Sequence, residues 1–483
     1  MNFRMIFKNL GVVLFIEAVC MIPSLLVALI YGQGDAKSFI ISILILVLVG
    51  IGMHRIKTVT TNFYARDGFV MVALGWLLVS IFGALPFIIS RAIPSVMDAM
   101  FESVSGFSTT GASILQDIES LPQGILFWRS FTHWMGGMGV LILMLAVLPS
   151  VKANTLHIMR AESTGPSPGK FVPKIGQVAK ILYVIYITLT AIEVILLLTG
   201  GMSLYDSLIH AFGTAGTGGF SNKNVSVAAF DSVYIETIIT AFMLLFGINF
   251  ALYYAIYKGN LKSVLRDEEL RFYVGTVVVT ILLITMNING KVFHSIGEAM
   301  RHSAFQVSSI ITTTGFATTD FNQWPEFSKC ILLLLMFIGA SAGSTGGGIK
   351  CIRILLLFKV IKREIYKIIH PRSVYTVKIN KKVVDEEILS GIMAFFFLYT
   401  FICTVSLLVV SLNGKGLISS LTAVIASVSN IGPGLEIVGP MGNYADFSVM
   451  SKAVLSICMI IGRLEIYPLL LLCTPAFWKR VNI

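Results

Sequence analysis

The chain has 483 residues, of which 56% are apolar and 13% charged, with a mean hydropathy of +0.85. A soluble domain carries about 25% charged residues, so the composition excludes a large soluble domain and points to a polytopic membrane protein. The net charge of +11 would suggest nucleic acid in a soluble chain. Here it reads as a positive-inside bias, with no nucleic-acid partner expected.

The first ten residues are basic (Arg4, Lys8), and Gly11–Tyr31 is a full-length apolar run without a clear small-residue cleavage site. It reads as a first transmembrane helix rather than a signal peptide. A second run, Phe39–Met53, completes a helical hairpin, followed by a basic segment with Arg55, Lys57 and Arg66.

A three-part unit then recurs. In the first, Gly68–Ile89 spans, Ser95–Val104 is a short half-helix, and Ile125–Leu148 returns. The second has Val178–Thr199, Tyr205–Thr214 and Tyr234–Tyr257. The third has Phe272–Met286, Glu298–Ile310 and Ser328–Phe358, and the fourth Ile388–Leu412, Leu417–Ser427 and Met450–Phe477. The expected division is 1–60 for the hairpin and 61–160, 161–265, 266–380 and 381–483 for four pore repeats, the third with a basic cytoplasmic tail. The fold class expected is an all-α integral membrane protein with four pseudo-symmetric helix–pore-loop–helix repeats around a central pore.

After each half-helix comes a polar turn leading into glycine: Ser108-Thr109-Thr110-Gly111, Gly216-Thr217-Gly218-Gly219, Thr312-Thr313-Thr314-Gly315 and Ser429-Asn430-Ile431-Gly432. The four glycines are 108, 96 and 117 positions apart, and Asp98 and Asp206 each stand thirteen positions before theirs. That common offset argues for internal repetition. A membrane does not tolerate irregular backbone facing lipid, so these turns must be buried or line water. A half-helix aims the negative end of its dipole at the turn, and bare carbonyls replace the waters of a dehydrated cation. Thr and Ser hydroxyls can add oxygen ligands. Oxygen ligands without converging carboxylates suit a large monovalent ion better than Ca²⁺ or Mg²⁺. One such turn would read as helix packing; four at matching places read as a filter.

Basic loops follow the returning limbs (Lys152, Arg160, Lys170, Lys174; Lys258, Lys262, Arg266, Arg271; Lys359 to Lys382; Lys479, Arg480), while acids such as Asp98, Glu102, Asp117, Glu119, Asp206, Glu236 and Glu436 flank the turns. Both termini are therefore expected inside, with an acidic outer mouth that concentrates cations.

The run Gly339–Gly348 interrupts the third returning limb. At ~1 kcal/mol per glycine relative to alanine, a helix there is unfavourable, so an unwound intramembrane loop is expected. Arg463 lies inside the last span, where an arginine costs at least ~2.5 kcal/mol and faces a cavity or partner. A pore-wall position, or an ion pair with Glu465, would satisfy it. Glu17 and Glu193 also sit in apolar runs and are expected to make helix–helix hydrogen bonds, with proton coupling as the alternative. Lys350 marks the start of the helix after the loop. The six cysteines read as packing residues, and His133, His157 and His210 make no metal site.

The four turns, the acidic half-helix entrances and Gly343-Ser344-Thr345-Gly346-Gly347-Gly348-Ile349-Lys350 resemble the Trk/Ktr/HKT superfamily of potassium uptake proteins along nearly the whole chain. The N-terminal hairpin and Trp134-Met135-Gly136-Gly137-Met138-Gly139 resemble its TrkH-type branch. The resemblance implies a bacterial inner (cytoplasmic) membrane protein and a homodimer of such chains. It also implies a cytoplasmic nucleotide-binding regulatory subunit of the TrkA type. It implies K⁺ as the transported ion at Thr109, Thr110, Gly111, Thr217, Gly218, Gly219, Thr313, Thr314, Gly315, Asn430, Ile431 and Gly432, since glycine at all four filter positions goes with K⁺ in the family. The second turn departs from the pattern, with Gly218 where the first and third have threonine. The resemblance further implies a gate at Gly343, Ser344, Thr345, Gly346, Gly347 and Gly348, and a pore charge at Arg463.

The function expected is K⁺ uptake through a gated, channel-like pore driven by the membrane potential; the alternative is Na⁺- or H⁺-coupled symport through the same pore. An enzyme is not expected: no H-E-x-x-H run or Ser/His arrangement is present, and no organic cofactor is implied. Without a G-x-x-x-x-G-K-[ST] loop, a nucleotide would act through the partner.

Overall fold

The computed structural model describes residues 1–57, 65–139 and 175–478. The end of the first returning limb (140–148), the loop with Lys152, His157, Arg160, Lys170 and Lys174, and the terminal Lys479 and Arg480 lie outside the described residues.

The N-terminal hairpin is α1 (Phe3–Cys20) continued by α2 (Ile22–Tyr31), packed against α3 (Ala36–His54). The first repeat contains α4 (Ala65–Gly83), α5 (Leu85–Ile89), the half-helix α6 (Val96–Phe107) and the returning α7 (Gln123–Gly137). The second contains α8 (Ile175–Thr199), the half-helix α9 (Leu204–Gly216), and α10 (Val233–Phe246) with α11 (Phe250–Tyr257). After a short α12 (Leu261–Leu265), the third contains α13 (Glu268–Ile288), the half-helix α14 (Ile296–Ile311), α15 (Glu326–Ile338) and α16 (Cys351–Ile369). A two-stranded hairpin, β1 (Lys378–Ile379) and β2 (Lys382–Val383), leads to the fourth: α17 (Glu386–Ser411), the half-helix α18 (Leu417–Val428), α19 (Val449–Arg463), α20 (Tyr467–Cys473) and α21 (Pro475–Trp478). Among the described residues six helices are long and apolar enough to cross a membrane, or eight if each bent pair counts as one span.

The first two half-helices begin on serine caps. Ser95 Oγ accepts from Asp98 N at 3.4 Å, and Ser203 Oγ from Asp206 N at 3.0 Å. Their shared Ser-x-x-Asp start places the acid in the first turn, where it also favours the helix dipole.

The repeats close into a ring by one packing rule. Each returning limb lies against the half-helix of the next repeat: α7 on α9, α10 on α14, α15 on α18, and α19 back on α6. The chain thus builds four pseudo-symmetric units around one axis.

Two limbs expected as continuous spans are broken. Tyr234–Tyr257 is α10 plus α11, bent by 90°, and Met450–Phe477 is α19 plus α20, bent by 120°. At the first break the Asn249 side chain caps α11, accepting from Ala251 N at 2.9 Å. At the second, Glu465 and Ile466 take φ of 54° and 70°, and Pro468 lies in the first turn of the new helix, where its missing N–H is harmless. Hydropathy is silent on such breaks because both sides remain apolar.

Two glycines let returning limbs touch half-helix ends. A Cβ on Gly136 would overlap the Phe107 carbonyl oxygen, and one on Gly462 that of Val428; each is the last residue of a half-helix. Gly136→Ala and Gly462→Ala should each destabilise by about 1–3 kcal/mol through overpacking, read as a lower melting temperature of detergent-purified protein. Gly391→Ala, where a Cβ meets nothing within 4 Å, should leave it within the ~0.5 kcal/mol typical of a neutral site.

Candidate functional site

Each half-helix ends in the same way. The N–H of Thr109, Thr217, Thr313 and Asn430 bonds back three residues, at 3.1, 3.0, 3.1 and 3.3 Å. The next N–H, of Thr110, Gly218, Thr314 and Ile431, bonds back five, at 2.9, 2.8, 2.8 and 2.9 Å. This is a Schellman-type helix end, which needs a left-handed residue. Thr109, Thr217, Thr313 and Asn430 accordingly have φ of 57°, 55°, 60° and 56°. Left-handed backbone recurs two residues on, at Gly111, Gly219, Gly315 and Gly432, with φ of 78°, 75°, 83° and 93°. Alternating handedness turns successive carbonyls toward one side, and the N–H groups are occupied within the half-helix.

The four strips meet on one axis. A Cβ on Gly111 would overlap the Gly218 oxygen; on Gly219, the Thr314 oxygen; on Gly315, the Ile431 oxygen; and on Gly432, the Thr110 oxygen. The order first–second–third–fourth–first closes a ring of equivalent carbonyls. A cavity of about 110 Å³ touches all four filter-position glycines on one side.

The side chains of the strips divide into two roles. Thr110 Oγ1 bonds Ser108 Oγ at 2.7 Å and accepts from Asn430 Nδ2 at 2.9 Å, and Thr314 Oγ1 bonds Thr312 Oγ1 at 2.8 Å. These hydroxyls, expected as possible ligands, are occupied in the wall. Thr109 Oγ1 has no hydrogen-bond partner among the described residues. The glycine at 218 has a steric cause: a Cβ there would run into the His133 ring, whose Nδ1 lies 2.8 Å from the Gly106 oxygen.

The acids assigned to an outer mouth are partly engaged in the fold. Asp98 pairs with Lys452 at 2.6 Å, Glu102 with Arg129 at 2.5 Å and Glu236 with Arg301 at 3.1 Å. Asp117 stays exposed, its carboxyl held below the usual range by the Asn224 amide.

On the other side of the turns, residues 339–350 form an irregular loop between α15 and α16. It lies directly on the strips. Gly347 N donates to Thr313 Oγ1 at 2.7 Å, and a Cβ on Gly347 would overlap the Ser429 oxygen. The loop is also held from outside. Ser341 N donates to Gly247 O at 3.1 Å, Phe250 N to Gly343 O at 3.0 Å and Ala342 N to Glu269 Oε1 at 2.6 Å. The break in the second limb therefore serves as its docking point.

Arg463 joins the loop to the first repeat. It donates to Thr345 O at 2.9 Å, to Gly137 O at 2.8 Å and to Gly136 O. Glu465 instead pairs with Arg353. Lys350 is more than a helix marker: it is buried, and its Nζ bonds the Gly346 oxygen. The hydrogen bond expected of Glu17 is absent among the described residues, and Glu193 lies buried beside Thr214 of α9. The described cysteines are free, and no group of three or more His, Cys, Asp or Glu side chains converges as a metal site among the described residues.

Reasoning from sequence missed Arg129, the bracing roles of Glu102, His133 and His210, and both limb breaks. One signal was present for the braces: Glu102 and His210 each stand nine positions before their filter-position glycine. Ser113 and Ser221, two after it, are their partners, at 3.0 Å in both arms.

Four re-entrant half-helices and crossing limbs around one carbonyl-lined axis define a multi-pass membrane protein built around a central pore. A family model described as TrkH, cation transport protein, matches residues 35–480; the chain belongs to the TrkH family. It is 38% identical over 488 residues to the Trk system potassium uptake protein TrkH of Salmonella typhimurium, covering 99% of this chain and all of that one. To the Trk system potassium uptake protein TrkG of Escherichia coli it is 32% identical over 99% of both chains. The crystal structure of the potassium transporter TrkH from Vibrio parahaemolyticus superposes with a TM-score of 0.90 at 35% identity, over 99% of this chain and all of that one.

Gly218→Thr, which copies the first and third arms, should destabilise the protein by about 1–3 kcal/mol through its clash with His133. His133→Ala in the same chain should recover part of that loss. Thermal melting of the single and double variants measures both, and a double variant no better than Gly218→Thr alone would contradict the steric cause.

Proposed function

We propose that this chain mediates K⁺ uptake through a selective, gated, channel-like pore. The observation that carries the reading is the closed ring of equivalent carbonyls from Thr110, Gly218, Thr314 and Ile431, each against the filter-position glycine of the adjoining arm. Backbone oxygens held in this way replace the hydration shell of a monovalent cation. Membership of the TrkH family and the likeness to Trk system potassium uptake proteins support K⁺ as that cation. The filter comprises Thr109–Gly111, Thr217–Gly219, Thr313–Gly315 and Asn430–Gly432.

The loop Gly343–Gly348 is the gate. Its contacts with Thr313 and Ser429 support a position that closes the path beneath the filter. Arg463 and Lys350 hold it there through the carbonyls of Thr345 and Gly346. A guanidinium beneath the filter also shortens the stay of K⁺ by repulsion. In this reading the protein is a homodimer in a bacterial cytoplasmic membrane, with both termini inside. A cytoplasmic nucleotide-binding subunit moves the loop. An inside-negative potential supplies about 2.3 kcal/mol per charge per 100 mV, so inward flow needs no chemistry in this chain.

The direct test is growth. The gene should restore growth at low K⁺ to a bacterium stripped of its own uptake systems, together with a regulatory subunit, and failure of an expressed chain to do so would sink the reading. In proteoliposomes the reversal potential should follow the K⁺ gradient alone; a dependence on Na⁺ or pH would favour coupled symport. Gly315→Ser should lower the K⁺/Na⁺ ratio about tenfold, the scale of ~1.4 kcal/mol.

A second expectation concerns the loop. Alanine at Gly346, Gly347 and Gly348 should loosen its seat and raise K⁺ flux without the partner, and Arg463→Gln should act in the same direction by releasing Thr345. Flux assays with and without the partner subunit check this, and unchanged flux together with unchanged regulation would remove the gating role.

A further inference from the structure

Behind the four strips lies a buried ion pair that the proposed transport cycle does not use. Glu102 on α6 and Arg129 on α7 are 1% and 2% exposed. Arg129 Nε donates to Glu102 Oε1 at 2.5 Å. The carboxylate's other partners are Ser113 Oγ at 3.0 Å and Ile114 N at 3.0 Å, both just beyond Gly111 in the first arm. The guanidinium reaches the other way. It donates to the Ser221 carbonyl at 3.0 Å, and its carbon lies 3.5 Å over the Phe220 ring, both just beyond Gly219 in the second arm. One pair therefore holds two neighbouring arms of the ring.

The second arm lacks the side-chain hold that the first and third arms have. The first and third arms have threonines at 110 and 314, whose hydroxyls bond Ser108 and Thr312 in their own walls. The second has Gly218-Gly219 and no side chain at either position. Two consecutive glycines leave the backbone more conformational freedom than any other pair. The His133 ring, 4.1 Å from that of Phe220, occupies the space a residue-218 side chain would need. Beyond the turn's own fold-back bonds to Gly213, register in this arm comes from residues 220 and 221, which Arg129 holds at the Phe220 ring and the Ser221 carbonyl and His210 at the Ser221 hydroxyl.

Stability alone is a weak reason for such a pair. Two charges taken out of water cost several kcal/mol each, and apolar replacements of similar volume are often as stable. A planar fork fixing two partners at set directions supplies geometry that apolar packing does not. Ion discrimination by carbonyl rings depends on the size of the ring and on how many oxygens are kept in place.

We propose that Arg129, anchored by Glu102, is a positioning residue for ion discrimination: it clamps the first and second arms at the spacing that favours K⁺ over Na⁺. The proposal rests on the reading of the four turns as the filter. Lysine at 129 keeps the charge that neutralises Glu102 but loses the fork. Glutamine at 102 keeps the shape and one acceptor but loses the charge.

The experiment reconstitutes the full chain carrying Arg129→Lys or Glu102→Gln, in each case protein that elutes as wild type, and measures K⁺ and Na⁺ permeability from reversal potentials. The K⁺/Na⁺ ratio should fall about tenfold in both, corresponding to ~1.4 kcal/mol. A wild-type ratio in either folded variant, even at reduced total flux, overturns the clamp, because a merely structural pair would change the amount of active protein and leave the ratio alone. If Arg129→Lys yields no folded protein, the ratio in Glu102→Gln decides. Gly315→Ser separates the two layers of the argument. A shifted ratio there with none at 129 or 102 removes the clamp only, whereas no shift at any of the three removes the filter reading with it.

Discussion

The structure depends on how a helix ends inside a membrane. A half-helix that stops at membrane depth leaves carbonyls without partners, and nothing in hydrocarbon can satisfy them. Here the turn's N–H groups fold back onto the last helical turn, through the three- and five-residue bonds repeated in all four arms. The carbonyls are thereby turned toward a common axis. Left-handed threonine or asparagine costs roughly 1–2 kcal/mol at each such position. It persists because the surrounding repeats leave the strip no other room.

Close approach follows from the same constraint. A ring of bare backbone is narrow only if nothing projects between its arms, so each filter-position glycine sits where a Cβ would meet the neighbouring carbonyl. The returning limbs obey a related rule at Gly136 and Gly462, where they pass against half-helix ends. Below that level the limbs no longer run straight. The breaks at Gly247 and Leu464 and the loop at 339–350 open a space that the loop itself fills. The cations there, Arg463 and Lys350, bond backbone oxygens of the loop and of α7. Those carbonyls belong to backbone that has left helical pairing, and a buried cation is the strongest available donor to it.

The architecture was legible in the amino-acid sequence because it is written in hydropathy and in glycine spacing. Apolar runs marked the hairpin and most spans, four polar turns at matching offsets marked the half-helices, and the separate glycine run Gly339–Gly348 marked an interruption of a span. What was illegible involves partners distant along the chain. Ala342 reaches Glu269, Arg463 reaches Gly136 and Gly137, and Lys452 reaches Asp98. No local pattern encodes such pairings. Acids counted toward a mouth, such as Glu102, turned out to be buried partners because composition does not distinguish a charge facing water from one facing an arginine. The bend after Arg463 was illegible for a different reason: the segments before Gly462 and after Glu465 are both apolar, so hydropathy runs on across it.

The four arms share a backbone and differ in almost every side chain that supports it. The strand after the filter-position glycine is held by Glu102 in the first arm and His210 in the second. In the third it is held by Ser309, whose hydroxyl donates to Phe316 O at 2.6 Å, and in the fourth by Thr422, which accepts from Leu435 N at 3.0 Å. An acid, an imidazole and two hydroxyls do one job because the job is geometric: each supplies a hydrogen bond at the right height behind the strip. It follows that side-chain identity at these positions is a poor guide to the repeat, whereas the succession of left-handed residue, ordinary residue and left-handed glycine is a good one. Fourfold order here is a property of φ angles, and the departures from it lie in the wall that holds them.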